Sequence, residues 1–346
     1  MARRVLYIVA ALALVIIGIT GLVSPSVAQV KPTLDRKIPA YVLAKDVSGS
    51  LTVVGSDTMQ AFVDEWAEEL RRFYPGLVIQ VESLGSEAGL AKLLEGKAQI
   101  AAMSRRMTSQ EISDFMREFG YEPTEVPVAV DALTVYVNRE NLIIGLTLQE
   151  LDAIFCKERR RGLKYRIETW GDLGLDTGWT DAQIHLYGRD SLSGTSRFFR
   201  EHVCEGADFY PSLTKSAGSA SVVVDVMKDR YGIGFSGIGY RTSSVRPVPL
   251  APAPGTRYVE PTFQTIMDGS YPLRRTLYLY VNRAQKVALS PAVAEFVKFA
   301  VSLQGQEAVL KHGYFPQNTD ELNRLMTTWS SAAKAVSAEN RAKPRN

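Results

Sequence analysis

Three places along the chain join an apolar run to a helical pattern through glycine and small hydroxyl residues. They are Gly55-Ser56-Asp57-Thr58-Met59, Gly85-Ser86-Glu87-Ala88-Gly89 and Ser193-Gly194-Thr195. The third follows Arg189 in the string GRDSLSGTSRFF. A helix N-terminus leaves backbone N–H groups unpaired and carries a partial positive charge. An anion placed there is stabilised without a lysine. Ser and Thr hydroxyls add donors of adjustable direction, and glycine lets the backbone approach closely. Each junction alone reads first as a helix cap, worth about 1 kcal/mol. Asp57 with Gln60 even has capping-box spacing. Three such junctions in one alternating chain, one with an arginine upstream, point to a tetrahedral oxyanion at the carboxyl ends of strands. Arg189 would grip two oxygens of that anion as a bidentate fork, or else pair with the adjacent Asp190.

Asp131 interrupts the apolar string VAVDALTVYV. An ionised carboxylate there needs a partner. Arg105, just past another strand end, is a candidate, and Asp131 could equally accept the proton of a hydrogen phosphate.

Other chemistries find less support. Gly232-Ile233-Gly234-Phe235-Ser236-Gly237 matches G-x-G-x-x-G but follows a helix and leads into a strand, the reverse of the dinucleotide-binding context. There is no GxxxxGK[ST] and no GxSxG. Ser193 as the nucleophile of a serine hydrolase or phosphatase lacks a nearby histidine, which leaves that reading as an alternative. His185, His202 and His312 have no ligand spacing, so neither a metal nor another cofactor is expected. Forty basic and 37 acidic residues give a net charge of +3, too balanced to suggest nucleic acid.

The elements that must position these residues alternate. Strands are expected at Leu51–Val54, Leu77–Val81, Gln99–Met103, Val128–Val137, Ile184–Tyr187, Ile233–Gly239 and Thr276–Val281. Helical patterns fall between them, for example Met59 to Phe73, stopped by Pro75-Gly76, and Ser109 to Phe119, stopped by Gly120. The order β-α-β-α-β argues for a sheet with helices on its faces. Residues 157–181 read as a charged loop containing Trp170 and Trp179. The strings LTVYVNRE and LYLYVNRA echo one another, as strands ending an excursion between two domains would, or by coincidence. With 346 residues, 46% hydrophobic, the chain has room for two domains.

At the start, Arg3-Arg4, the apolar run Val5–Val23 and the small residues Ser26 and Ala28 read as an export signal cleaved after Ala28, or else as a retained anchor, since the run could almost span a bilayer. Outside the cytosol Cys156 and Cys204 could pair, for roughly 4 kcal/mol, or remain free thiols.

The sequence resembles the periplasmic phosphate-binding proteins, the soluble receptors of ABC phosphate importers. The strings GSDTMQAFVDEW, LGSEAGL, IAAMSRRMT, VAVDALTVYVN, GRDSLSGTSRFF, GSASVVVDV, YGIGFSGIGY and GQEAVLKHGYFP follow the family's order over about residues 48–320. The resemblance implies a type II periplasmic-binding-protein-like α/β fold, two lobes joined by two hinge strands that close on phosphate. The lobes would be residues 48–132 with 283–329, and 133–282, with crossing strands at Leu133–Asn138 and Leu277–Asn282. Residues 1–28 would be the signal peptide, 29–47 a linker and 330–346 a flexible tail. Thr58 with the Met59 N–H, Ser86, and Arg189 with Ser193, Gly194 and Thr195 match the family's phosphate contacts. Familiar members carry Ser-Asp after the third strand, where this chain has Ser104-Arg105. Asp131 is then expected to replace the missing acceptor, with Arg105 as its neighbour or as a second anion contact. The implied protein is a periplasmic, non-catalytic monomer that binds inorganic phosphate and docks on permease subunits in the inner membrane. The same fold could instead serve sulfate or molybdate.

Overall fold

The computed structural model describes residues 34–176, 178–284 and 289–342, with only the backbone described from residue 332 onward. The export signal lies outside the described residues. Strand β1 (Gly49–Gly55) leads through a 3-10 turn at Asp57–Met59 into α1 (Gln60–Phe73). Phe62, Val63, Trp66, Ala67 and Leu70 recur at helical spacing on α1 and are all buried. Next come β2 (Leu77–Ser83), α2 (Ser86–Leu94), β3 (Ile100–Met103) and α3 (Ser109–Phe119). Thr108 and Glu111 close a capping box on α3, and Gly120, at φ 78°, ends it in the left-handed conformation that glycine tolerates best.

The long β4 (Thr124–Asn138) then crosses the molecule, followed by β5 (Leu146–Thr147) and α4 (Leu148–Phe155). β6 (His185–Arg189), α5 (Gly194–His202), β7 (Thr214–Ser216), α6 (Ser219–Lys228) and β8 (Gly232–Gly237) form the second alternating stretch. The chain returns through β9 (Val245–Pro247), β10 (Leu250–Ala251), α7 (Phe263–Met267) and β11 (Arg274–Val281). It closes with α8 (Pro291–Ala300), α9 (Leu303–Lys311), β12 (Phe315–Pro316) and α10 (Thr319–Ala342).

The main sheet runs β2-β1-β3-β11-β4-β8-β6-β7, with β9 and β12 also paired to β4. β1 is parallel to β2 and β3, and β6 is parallel to β7 and β8; β11 and β8 are each antiparallel to β4. Two large hydrophobic cores result. Met59, Trp66, Ala129, Leu277, Phe296 and Trp329 belong to one, and Val130, Leu133, Phe155, Phe199, Phe235 and Leu273 to the other. β4 changes core between Ala129 and Leu133, and the chain entering β11 does so between Leu273 and Leu277. This change of core lies N-terminal to Leu133–Asn138 and Leu277–Asn282, the stretches the resemblance implies as crossing strands. The echoing strings lie beyond it, because core membership follows which face each side chain meets, and the repeat does not encode that.

Three further expectations change. Trp170 and Trp179 are buried edge-to-face in the second core, 6.1 Å apart, so the 157–181 loop is anchored. The described part of the expected linker packs on the first core. Ile38 is buried, Tyr41 donates to Glu295 at 2.6 Å, and the Leu303 N–H donates to Pro39 O at 2.8 Å. The expected tail is helical through Ala342, where an alanine-rich sequence favours helix and buried Trp329 anchors its start. Cys156 and Cys204 form a disulfide spanning 48 residues.

Candidate functional site

The three junctions meet. Thr58, in the 3-10 turn after β1, and Thr195, in the first turn of α5, are fully buried with hydroxyls 3.0 Å apart. Ser86, which opens α2, accepts the Ser104 N–H at 3.1 Å, and the two serine hydroxyls lie 3.3 Å apart. Gly194 packs onto this pair so closely that a Cβ there would overlap both hydroxyl oxygens. Glycine is thus required where one junction closes on another.

Arg189 ends β6. Its Nη1 donates to Asp57 Oδ2 and, at 3.2 Å, to Ser219 Oγ. Asp57 Oδ2 also accepts the Ser219 N–H at 3.0 Å and its hydroxyl at 2.7 Å, which ties the first junction to the start of α6. The alternative Arg189–Asp190 pair does not form. Asp190 Oδ1 instead accepts the N–H groups of Leu192 and Ser193 at 3.0 and 3.2 Å and shapes the loop into α5.

Asp131 is fully buried on β4, and its partner is Arg275, directly opposite on β11. Arg275 Nε and Nη2 reach Asp131 Oδ2 at 2.9 and 2.8 Å, and Ile238 N–H donates to Oδ1 at 3.3 Å. Burial pushes the Asp131 pKa up, and Arg275 opposes that rise. Arg275 Nη2 also donates to Thr195 Oγ1 at 3.1 Å and lies 3.4 Å from Thr58 Oγ1.

Arg105 is therefore not the neighbour of Asp131. Its guanidinium turns to Glu87 at 2.5 Å and to both Glu111 oxygens at 2.7 and 2.8 Å. Arg197 of α5 completes the cluster at 3.2 Å from each of the two glutamates. The physical reason is local: two carboxylates meet at the starts of α2 and α3, and a buried cation must balance them. Glu87 is thus neutralised and does not stand alone beside the anion site. Met59 also differs from expectation. Its N–H donates to Ser56 O at 3.0 Å and its side chain fills the first core.

Among the described residues, four buried polar atoms of this constellation have no hydrogen-bond partner: Ser193 Oγ, Arg189 Nε, Arg275 Nη1 and Asp57 Oδ1. Buried donors are rarely left unpaired, so three of the four are unused capacity for an acceptor-rich ligand. Arg275 was not singled out in the sequence, Ser104 only as the neighbour of Arg105, and Asp57 was read only as a cap. Arg275 stands beside Arg274 just before TLYLYV and reads as a strand-end cation; only the strand register pairs it with Asp131.

A model of the PBP superfamily domain matches residues 43–303. The phosphate-binding protein PstS of Pseudomonas aeruginosa is 46% identical over 290 residues, 84% of this chain and 90% of that protein. The chain belongs to the phosphate-binding proteins of the PBP superfamily. Solved structures with this fold include a possible phosphate binding protein from Planctomyces limnophilus, with a TM-score of 0.61 and 28% identity over 83% of this chain and 99% of that one. An ABC-type phosphate transport receptor from Vibrio cholerae superposes with a TM-score of 0.60 at 24% identity, over 77% of this chain and all of that one. In this chain of the phosphate-binding family, the arginine of the Ser104-Arg105 pair is engaged by Glu87 and Glu111.

Proposed function

We propose that this protein captures inorganic phosphate outside the cytoplasm and delivers it to the permease of an ABC importer, without catalysis and as a monomer. The two cores are read as two lobes hinged where β4 and β11 cross, at the Asp131–Arg275 pair. The observation that carries the reading is the convergence of Thr58, Ser86, Arg189, Ser193 and Thr195 with unpartnered donors among them. Their 46% identical relative bears the name of a phosphate-binding protein, which supports the same ligand here. Binding would draw on Ser193 Oγ, Arg189 Nε and Arg275 Nη1, on the N-termini of α2 and α5, and on the hydroxyls of Thr58 and Thr195. The lone serine is better suited to donating a hydrogen bond than to attacking. His185 pairs with Asp229 and His312 with Glu65, and His202 bonds Phe198 O.

Phosphate keeps a proton near neutral pH and sulfate does not. A buried carboxylate facing the anion accepts that proton and repels sulfate, at a cost of about 1–3 kcal/mol for an unmatched group. Asp131 is the proposed acceptor, and Asp57 Oδ1 is a second carboxylate oxygen within the same constellation. Calorimetric titration with phosphate and sulfate at two pH values tests the reading. Phosphate should bind at least tenfold more tightly than sulfate at both, and equal affinity would favour a general oxyanion receptor.

A further inference from the structure

Beside the candidate site lies a cavity of about 720 Å³, far larger than one phosphate. Its lining includes Arg189, Ser191, Leu192 and Ser196 from the loop and first turns of α5, so its floor is the outer side of the same motif. Five cations line it, Lys157, Arg189, Arg197, Arg200 and Lys215, against two carboxylates, Glu87 and Asp208. Three of the cations have counter-charges. Arg189 pairs with Asp57, Arg197 with Glu87, Glu111 and Glu201, and Arg200 lies 3.8 Å from Asp208. The ammonium groups of Lys157 and Lys215 form no ion pair or hydrogen bond among the described residues, and both side chains are exposed.

A recess with uncompensated charge of one sign focuses the field and raises the local concentration of oppositely charged solute. Arg189 belongs to both spaces, and its Nε has no partner. We propose that this cavity is an entry vestibule for the anion, in which Lys157 and Lys215 steer phosphate towards Arg189 and Ser193. The inference rests on the phosphate reading above and adds the route. The lysines act on encounter and not on the bound ion, so they govern the association rate and leave dissociation alone.

Stopped-flow measurement of phosphate association separates the possibilities. In the doubly substituted Lys157→Gln/Lys215→Gln protein at low ionic strength, kon should fall about fivefold with koff unchanged. Charge reversal, Lys157→Glu/Lys215→Glu, should lower kon further. Salt at about 0.3 M should bring all three proteins together, since the Debye length shrinks to a few ångströms. Phosphate binding with the same kon in all three at low salt overturns the vestibule and leaves the phosphate reading standing. A change confined to koff also overturns it, because the lysines would then touch the bound ion. An unsubstituted protein that fails to bind phosphate sinks the phosphate reading itself.

Discussion

Arg189 holds two positions at once. It ends β6, and it reaches across to Asp57 on the opposite junction. Removing it takes away a charge-assisted donor worth about 1.5–3 kcal/mol and strands a carboxylate. Arg189→Ala is expected to weaken phosphate binding roughly a hundredfold in calorimetry while the far-ultraviolet circular dichroism of the fold persists. Arg189→Lys should recover little, because an ammonium cannot reproduce the planar fork. Unchanged affinity in the alanine variant would remove Arg189 from the site. Asp131 makes a different demand. Its carboxylate is fully buried with Arg275, so Asp131→Asn leaves a buried guanidinium unbalanced and should cost about 3–5 kcal/mol in urea unfolding. If it also accepts the proton of the anion, phosphate affinity should fall more than sulfate affinity. Equal losses would make it structural only.

The start of α5 depends on its glycine. A methyl group at Gly194 would overlap the hydroxyls of Ser86 and Ser104 and hold the junctions apart. Gly194→Ala should lower phosphate affinity at least tenfold with little change in unfolding free energy, measured by titration beside chemical denaturation. The glutamate cluster joins α2, α3 and α5 through charge. Burial raises the Glu111 pKa, but Arg105, the Thr108 N–H and Arg197 outweigh that and hold it below its ordinary 4.5. A depressed carboxylate pKa stabilises the fold above the unfolded value, and that contribution is lost as pH falls through the folded one. Glu111→Gln should therefore destabilise the protein at pH 7 and flatten the loss of stability below about pH 4.5. Parallel urea curves for both proteins across that range, with an undiminished acid-side decline in the variant, would count against the cluster. Strand and helix order, the α1 stripe and the Gly120 stop of α3 were legible because they depend on local periodicity and turn chemistry. The roles of Arg105 and Arg275 were not, since each is set by which strand or helix lies across from it.

At the scale of the molecule, one disulfide closes a 48-residue loop within the second core. Cys156→Ser/Cys204→Ser should lower stability by roughly 4 kcal/mol and the melting temperature by about 10 °C. Calorimetric scans that superimpose with those of the unsubstituted protein would show that the cross-link is dispensable. Two cores threaded by β4 and β11 bring the candidate site residues together near where both strands change core, and there Asp131 faces Arg275. By itself the sequence determined the alternating α/β order, the family and the three hydroxyl-rich junctions, because hydrophobic period, glycine and capping residues act within a few positions of one another. Only the tertiary structure decided which charges meet. Arg189 pairs with Asp57, Asp131 with Arg275, and Arg105 with Glu87 and Glu111. Most of these partners lie far apart in sequence, and a charge interacts with what is near in space.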